Sequence, residues 1–451
     1  MDVHLFRDAG LGNGSYLVEV GAGRAVLIDP DRRVRRYLDE VKDRGLEILG
    51  VLDTHLHADF VSGAQDLRAE TGAELYEPAE AGVPFPHTPV APGERLDLVD
   101  VEVEVLATPG HSPEHVSYVF RAEGDAAPVL FSGGALIVGG AARSDLAGPE
   151  LTDHLTHHEY ETLRGAFSDL PDETLLKPTH GGGSFCSAGS GKKHTSTLGE
   201  ERASNPLLSM GEQEFLEKWP ASFPRTPVYF GRMREINWSG PRLRKDIEMP
   251  RPLSPEVFAA AASEPGSIVV DVRDPASYAE AHGQGALAIP FRDSFPTWLG
   301  WLVPADARLL FVLGDTALDD AVDASLLVGL ERFEGYLEGG IDAWREAGLP
   351  VRSLPAIGPD DVVSWLEKGA QPLDVREPDE LELGGVAGAV SVPLGDLPQH
   401  VSVLPAGRPL LVYCASGMRS TTAASLLERA GVGPVVNLRG GYGAWQEAGR
   451  D

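Results

Sequence analysis

The C-terminal part of the chain contains the same sequence pattern twice. Val270–Pro275 matches Leu373–Pro378, and Leu337–Gly348 matches Leu438–Gly449. Both pairs are offset by about 100 residues, which is too long for one unit of a solenoid, so the pattern predicts two copies of one domain. Short apolar runs alternate with helical stretches in each copy, as expected for a parallel α/β fold.

Composition narrows the classes of function. The chain has 451 residues, which suggests about three domains, and 42% of them are hydrophobic, as in globular proteins. A net charge of −30 argues against a nucleic-acid partner, which needs a basic surface. No apolar run reaches the roughly 18 residues that cross a bilayer, and the start does not resemble a signal peptide. We therefore expect no nucleic-acid or membrane partner and leave a homo-oligomer open.

The cysteine count indicates the compartment. Cys186 and Cys414 are the two cysteines of the chain, and they stand far apart in different motifs. They give no disulfide framework, so a reducing cytoplasm fits best.

Polar loops with histidine follow several predicted strands in the first part of the chain. His55, His57 and Asp59 stand directly after a buried strand, and His111 and His180 follow two others. Imidazole and carboxylate groups are ligands that suit Zn or Fe(II). The sequence therefore predicts a metal site at the rim of a sheet, whereas one such motif alone fits a polar loop with incidental histidines equally well.

These loops, in this order, resemble the metallo-β-lactamase superfamily, and within it the persulfide dioxygenases. The resemblance covers roughly the first half of the chain and includes Ile28–Pro30 and Arg143–Leu146. Gly183–Cys186 and Thr197–Arg202 separate the persulfide dioxygenases from the hydrolases of the superfamily. The resemblance implies an αβ/βα sandwich with one Fe(II) ion, held in part by His55 and His111.

Two positions depart from the family pattern. Phe60 stands where the family has a histidine, and Gly134 stands where it has a metal-binding aspartate. Losing both argues against a dinuclear zinc centre. What remains is one metal ion, Fe(II) or alternatively Zn, or a binding scaffold without metal. The candidate ligands are His55 and His111, with His57, Asp59 and His180 as further candidates.

Cys186 matches a cysteine that lies near the metal in related persulfide dioxygenases. The resemblance implies contact with the substrate or transient persulfide formation. The alternative is a small buried residue with a packing role.

A second candidate site lies in the second copy of the repeat. A buried strand, Pro409–Tyr413, runs into Cys414, and a helix is predicted to begin near Thr421. Backbone N–H groups at a helix N-terminus form an anion cradle, and together with Arg419 they favour the cysteine thiolate. An exposed thiolate of this kind can attack sulfane sulfur and carry it as a persulfide. The cradling loop comprises Ala415, Ser416, Gly417, Met418 and Ser420.

The Cys414–Arg419 loop, the strand end Asp374–Glu377 and the closing Gly440–Trp445 segment resemble the rhodanese family. This implies a sulfurtransferase that takes sulfur from thiosulfate or a low-molecular-weight thiol persulfide and passes it to an acceptor thiol. A cysteine-dependent phosphatase, whose loop is one residue longer, and a buried structural cysteine are the alternatives. The first copy has Leu313 at the cysteine position and no counterpart of Arg419, so we expect it to be degenerate.

The predicted fold class is α/β. We expect a metallo-β-lactamase-like domain at residues 1–210, a connector at 211–252, a degenerate rhodanese-like domain at 253–352 and a rhodanese domain at 353–451. The predicted function is sulfur metabolism, through persulfide oxidation, sulfur transfer by Cys414, or both. The alternatives are a sulfurtransferase on a non-catalytic scaffold and a thioester hydrolase of the glyoxalase II type.

Overall fold

The computed structural model describes residues 1–187, 193–405 and 407–449. The chain forms two compact units, Met1–Ile247 with Asp323–Gly329 and Glu248–Val322 with Leu330–Asp451. Most of the predicted connector therefore belongs to the first unit, where it forms two helices. The domain boundaries at residues 210, 252 and 352 stay a prediction. Among the helices in the described ranges, none has the length and apolar character needed to cross a membrane.

The first unit contains two six-stranded sheets. In the first sheet β1, β2 and β3 are antiparallel, and β3 to β6 are parallel. Its strands are β1 (Val3–Asp8), β2 (Asn13–Gly21), β3 (Arg24–Ile28), β4 (Glu47–Leu52), β5 (Glu74–Pro78) and β6 (Thr88–Val90). The strands of the second sheet are β7 (Arg95–Leu98), β8 (Val101–Ala107), β9 (Val116–Ala122), β10 (Val129–Gly133), β11 (Leu175–Pro178) and β12 (Ser196–Thr197).

The two sheets of the first unit pack face to face. Val101, Val103 and Val105 alternate with less buried residues along β8, because successive side chains of a strand point to opposite faces. These valines share one apolar core with Phe120 of the same sheet and Tyr16 of the other sheet. The burial of this core holds the sheets together.

Helices cover the outer faces of both sheets. Tyr37 and Leu67 pack on the first sheet, and Leu163 and Trp219 pack on the second. This arrangement confirms the predicted αβ/βα sandwich. The helices of the unit are α1 (Arg35–Arg44), α2 (Ala64–Thr71), α3 (Thr152–Gly165), α4 (Leu198–Ser204), α5 (Pro206–Ser209), α6 (Glu212–Ala221) and α7 (Phe230–Ser239).

The first copy of the repeat forms a five-stranded parallel sheet with the order β13-β18-β17-β14-β16. Its strands are β13 (Arg251–Leu253), β14 (Ser267–Asp271), β15 (His282–Gly283), β16 (Leu287–Ala288), β17 (Arg308–Val312), β18 (Phe333–Leu337) and β19 (Val351–Arg352), of which β15 and β19 pair separately. Its helices are α8 (Pro255–Ala262), α9 (Pro275–Glu280), α10 (Phe295–Leu302), α11 (Leu318–Leu327) and α12 (Gly340–Glu346).

The second copy has a five-stranded parallel sheet of corresponding order, β20-β24-β23-β21-β22. This correspondence confirms the predicted duplication. Its strands are β20 (Ala356–Ile357), β21 (Gln371–Asp374), β22 (Val390–Ser391), β23 (Leu410–Tyr413) and β24 (Val435–Leu438). Its helices are α13 (Val362–Glu367), α14 (Leu397–His400), α15 (Met418–Arg429) and α16 (Gly441–Glu447).

Replacing Phe120 by alanine should destabilise the first unit by about 3–5 kcal/mol, since the side chain is fully buried between the sheets and its loss leaves a cavity. Urea denaturation measures the change in the free energy of unfolding. Amide hydrogen exchange of β9 shows whether the change lies in the first unit. Leu175→Ala is the matched control, because Leu175 is 41% exposed and should cost less than about 0.5 kcal/mol. Equal losses in both variants would contradict the assignment of Phe120 to the core.

Candidate metal centre and cysteine loop

Four histidines meet where strands of the sandwich end. His55 and His57 follow β4, His111 follows β8, and His180 follows β11. The ring centroid of His55 lies 4.8 Å from that of His111 and 5.3 Å from that of His180, and the rings of His111 and His180 are 5.1 Å apart. All four side chains are buried. The structure thus brings together the histidines that the sequence analysis selected.

Hydrogen bonds orient three of these rings. Nδ1 of His55 lies 2.8 Å from Oγ1 of Thr54, and Nδ1 of His111 lies 2.6 Å from the carbonyl oxygen of Arg143. Nδ1 of His180 lies 3.0 Å from Oδ1 of Asn13. A carbonyl or amide oxygen accepts, so the facing Nδ1 carries the proton and Nε2 keeps its lone pair. The Nε2 atoms of His55 and His180 lie 3.3 Å apart. Metal-ligating histidines are commonly held in this way.

His57 is oriented through its other nitrogen. Its Nε2 lies 3.3 Å from Oδ1 of Asp29, and its Nδ1 is buried without a hydrogen-bond partner among the residues that the structure describes. Asp29 also accepts hydrogen bonds from the backbone N–H of Thr54 at 2.7 Å and from Thr179. Asp29 is therefore already saturated, although it forms a compact group with Asp53 and His57. We assign Asp29 to the support of the site.

The environment keeps most of these rings neutral. Burial lowers the pKa of His111 to about 3, and burial together with the neighbouring histidines lowers the pKa of His55 and His180 well below the ordinary value. Neutral imidazoles whose lone pairs converge are stabilised by a cation between them. His55, His57 and His180 each place one possible ligand atom within 4.8 Å of the other two, and the same holds for His111, His180 and Cys186. The donor set fits one nitrogen-preferring metal ion.

Gly134 has no room for the aspartate of the family. A Cβ atom there would lie 2.6 Å from Cδ2 of His111 and 2.9 Å from Cβ of Ala142. The backbone N–H of Gly134 donates to Nε2 of His115 at 2.9 Å, and the His115 ring stacks on His55 at a centroid distance of 4.8 Å. The loss of the carboxylate is thus built into the packing, and His115 is a neighbour that the sequence analysis did not select.

Phe60 makes an apolar contact at the position where the family has a histidine. Its ring stacks on His57 at a centroid distance of 4.2 Å, and it packs with Leu11 and Leu327, which also belong to the first unit. Phe60 therefore offers an apolar ring at this position, and the prediction of one metal ion rather than two stays a prediction.

Asp59 and Cys186 lie beside the histidines. Oδ2 of Asp59 accepts a hydrogen bond from Nδ2 of Asn13 at 2.6 Å and lies 3.5 Å from Nδ1 of His180. The thiol of Cys186 lies against Asp59, and burial raises the pKa of Cys186 well above its usual range. Without a metal ion, Cys186 is therefore a protonated thiol. The predicted proximity of Cys186 to the cluster agrees with this geometry, while its role stays a prediction.

Helix α7 covers the loop that carries His55 and His57. Asn237 donates to the carbonyl oxygens of His57 and Phe60 at 2.8 and 2.9 Å, and its Oδ1 accepts from the backbone N–H of Ser62 at 2.9 Å. Arg234 binds both carboxylate oxygens of Glu114 at 3.1 Å. Sequence reasoning missed this cover, because its residues lie far along the chain in a segment rich in proline and glycine.

Cys414 lies at the start of α15. Its Sγ accepts hydrogen bonds from the backbone N–H groups of Gly417 at 3.2 Å and Ser420 at 3.4 Å. Of the five loop residues predicted to cradle the sulfur, Gly417 and Ser420 direct an N–H group at it, and the role of the loop stays a prediction. The expectation of an exposed thiolate is corrected, since Cys414 is only 1% exposed. The loop closes around the sulfur because Gly417 adopts a φ of +93°, which favours glycine.

The Gly440–Gly441 pair lets a second segment approach the loop. The N–H of Tyr442 donates to the Cys414 carbonyl at 2.7 Å, and that of Gly443 donates to the Ala415 carbonyl at 2.9 Å. A Cβ atom on Gly441 would overlap the Cys414 carbonyl. This close approach, together with a φ of +61°, explains the glycine at position 441.

Arg419 points to a carboxylate. Its Nη1 and Nη2 donate to the two carboxylate oxygens of Glu380 at 2.5 and 2.6 Å. Burial raises and Arg419 lowers the pKa of Glu380, and the net result is below its ordinary value, so the pair is ionised near neutral pH. Glu380 was not among the residues selected from the sequence.

The first copy keeps the frame of this site. Arg273 binds Asp271 as Arg376 binds Asp374, both with a closest distance of 2.6 Å. Leu313 follows β17 where Cys414 follows β23. That the first copy has lost the chemistry stays a prediction.

Glu159 of α3 lies under the loop of His111. Its carboxyl group is fully buried against the backbone N–H of His111, and a Cβ atom on Gly110 would lie 2.6 Å from Cα of Glu159. Burial raises the pKa of Glu159 well above its ordinary value. The folded protein therefore holds Glu159 protonated over a pH range in which the unfolded chain releases the proton.

Replacing Glu159 by glutamine should stabilise the metal-free protein relative to wild type, increasingly as pH rises above the ordinary glutamate pKa of 4.5. The wild type loses about 1.4 kcal/mol per pH unit through this group until the pH reaches the raised folded pKa, and the glutamine variant does not. Urea denaturation with a chelator between about pH 4.5 and about pH 7 measures the difference. The exposed Glu173→Gln is the control, and a pH-independent difference for Glu159→Gln would contradict the prediction.

Comparison with known proteins agrees with this architecture. Residues 10–180 match the metallo-beta-lactamase superfamily, and residues 254–347 and 358–448 match the rhodanese-like domain. A hydroxyacylglutathione hydrolase of Pseudomonas putida is 32% identical over 214 residues, 44% of this chain and 81% of that protein. Another, from Methylobacillus flagellatus, is 37% identical over 123 residues, 27% of this chain and 46% of that protein. The chain thus spans about half the length of some of these curated relatives.

Two solved structures are similar to this chain. The crystal structure of a metallo-beta-lactamase from Staphylococcus aureus is 29% identical, with a TM-score of 0.65 over 75% of this chain and 98% of that chain. That of ETHE1 from Myxococcus xanthus is 28% identical, with a TM-score of 0.46 over 53% of this chain and 99% of that chain. The chain belongs to the metallo-β-lactamase superfamily, and two rhodanese-like domains follow that domain.

Proposed function

We propose that the protein handles sulfane sulfur, carrying it as a persulfide on Cys414 and oxidising a thiol persulfide at the histidine cluster. The observation that supports this proposal best is the pair of backbone N–H groups, from Gly417 and Ser420, directed at the Cys414 sulfur. Such donors stabilise negative charge on sulfur in a site that excludes water. The match of this segment to the rhodanese-like domain supports thiosulfate or a thiol persulfide as donor.

Transfer through Cys414 takes two displacement steps. The thiolate attacks the outer sulfur of the donor, the sulfur–sulfur bond of the donor breaks, and sulfite or a thiol leaves with the bonding electron pair. An acceptor thiolate then attacks the outer sulfur of the Cys414 persulfide and releases the thiolate again. The N–H groups of the loop hold the charge on sulfur in both states.

The first unit fits a single metal ion held by two or more of His55, His57, His111 and His180, with Asp59 beside them. Bound Fe(II) would supply the electron transfer that dioxygen needs, whereas Zn would supply only Lewis acidity. In the overall reaction, dioxygen and one water convert the outer sulfur of a thiol persulfide to sulfite, and the thiol is released. Helix α7 and Phe60 keep bulk water from the cluster, and the supporting oxygens of Thr54, Arg143 and Asn13 fix the rings.

Replacing Cys414 by serine should reduce thiosulfate:cyanide sulfurtransferase activity at least about a thousandfold, because the nucleophile of both displacement steps is lost. Release of thiocyanate under steady-state conditions measures the effect. Transfer that survives in Cys414→Ser but disappears in Cys186→Ser would assign the sulfur to the other cysteine and contradict the proposal.

Protein purified anaerobically without added metal should contain close to one metal ion per chain, and His111→Ala should lower its metal affinity at least about tenfold. Elemental analysis and competition with a chelator measure both quantities. His157→Ala is the matched control, since His157 lies on the exposed face of α3. A metal-free wild type, or equal affinities in both variants, would contradict a metal centre at this cluster.

A thioester hydrolase is the second candidate, favoured by curated relatives named hydroxyacylglutathione hydrolase. Phe60 and the closed position at Gly134 argue against the two-metal centre of that reaction type. Zinc in the purified protein, together with turnover of S-lactoylglutathione, would favour this candidate over persulfide oxidation.

A further inference from the structure

The cation next to Cys414 is already engaged by a carboxylate. Arg419 belongs to the helix α15 whose first turn surrounds the Cys414 sulfur, and both of its terminal nitrogens bind Glu380. The side chains of Arg419 and Glu380 are 20% and 26% exposed, so the pair lies at the rim of the site and is accessible to a small ligand. An anionic sulfur donor that approaches Cys414 therefore has to share this arginine with Glu380.

Two further hydrogen bonds fix the position of Glu380. The buried Arg376, paired with Asp374, donates from Nη1 to the backbone carbonyl of Glu380 at 3.1 Å. The backbone N–H of Glu377 donates to Oε2 of Glu380 at 3.0 Å. The carboxylate is thus bound by Arg419 and by the N–H of Glu377, while Arg376 holds the backbone of the same residue. Glu380 is thus part of the mouth of the site and not a freely moving surface residue.

The first copy of the repeat lacks both members of this pair. Aligned through Asp271 and Asp374, the position of Glu380 falls on Ser277. The matching loop after β17 has no arginine. Asp271 and Arg273 nevertheless form the same buried ion pair as their counterparts. The acid therefore accompanies the arginine and the cysteine, and it is not needed for the frame of the domain.

We propose that Glu380 determines donor specificity by occupying Arg419, so that Cys414 accepts sulfur from thiol persulfides in preference to the dianion thiosulfate. This inference rests on the proposed function, in which Cys414 carries the sulfur. A sulfonate group bound to Arg419 would lie beside the Glu380 carboxylate, and the negative charges of the two groups would repel each other. A persulfide with an uncharged organic part brings less negative charge to the same place.

The loading step shows where the charge matters. With thiosulfate, the Cys414 thiolate attacks the outer sulfur, the sulfur–sulfur bond breaks, and sulfite leaves with the electron pair. The negative charge of the leaving group then grows next to Arg419 and Glu380. With a thiol persulfide, the sulfur–sulfur bond breaks and a thiolate leaves with the electron pair, carrying one negative charge where sulfite carries two. Glu380 therefore opposes the first reaction more than the second.

The test compares Glu380→Gln with the wild type for two donors, thiosulfate and the persulfide of 2-mercaptoethanol, with cyanide as acceptor. Glutamine keeps the size of the side chain and removes its charge. We expect KM for thiosulfate to fall about three- to fivefold, the range of one partly exposed ion pair, and KM for the persulfide to change less than about twofold. Glu382→Gln is the control, since this exposed residue of the same segment undergoes the same charge change.

Three outcomes decide between the alternatives. A higher KM for thiosulfate in Glu380→Gln would overturn the proposal and make Glu380 a residue that positions Arg419 for binding. Equal changes for both donors, or the same change in Glu382→Gln, would also overturn it. If Glu380→Gln does not fold, Glu380→Ser, the residue of the first copy, takes its place. A wild type inactive with both donors would instead show that the proposed function itself is wrong.

Discussion

Backbone N–H groups that converge on one sulfur atom set the form of the second copy of the repeat. Gly417 adopts a left-handed conformation so that its N–H and that of Ser420 reach Cys414. Gly441 allows the following segment to bond the carbonyl of Cys414. The parallel sheet supplies the end of β23, at which this loop begins. The chemistry proposed for the protein depends on these contacts, because N–H groups directed at a buried sulfur atom stabilise negative charge that develops there.

A comparable constraint acts on the first unit. Four buried imidazoles are tolerated there because oxygen atoms of Thr54, Asn13, Asp29 and the Arg143 carbonyl each face one ring nitrogen. The remaining nitrogens are directed inward, and without a cation their lone pairs oppose one another. Gly134 packs against His111, and Phe60 stacks on His57, so both positions that depart from the family pattern lie at the cluster. The proposal of a single ion rests on these two contacts.

Local sequence patterns predicted most of the fold. Apolar runs such as Ile48–Leu52 predicted the strands, and the polar loops that follow them predicted where the histidines lie. Strands and the loops at their ends can be predicted because they depend on residues that are neighbours in the sequence. The duplication was visible in the matching segments Val270–Pro275 and Leu373–Pro378, which contain Asp271 and Asp374. Contacts over long sequence separations were not visible: Asn237 over the loop of His57, His111 against Gly134, and Glu380 on Arg419. Such contacts depend on how the elements pack, which no local pattern specifies.

The central claim is that Cys414 carries the sulfur. Intact-protein and peptide mass spectrometry after brief exposure to a thiol persulfide tests it most directly. We expect the peptide that contains Cys414 to gain one sulfur atom, and an acceptor thiol to remove it again. A wild-type protein whose Cys414 peptide gains no sulfur, although the protein is folded and the donor is intact, would contradict it.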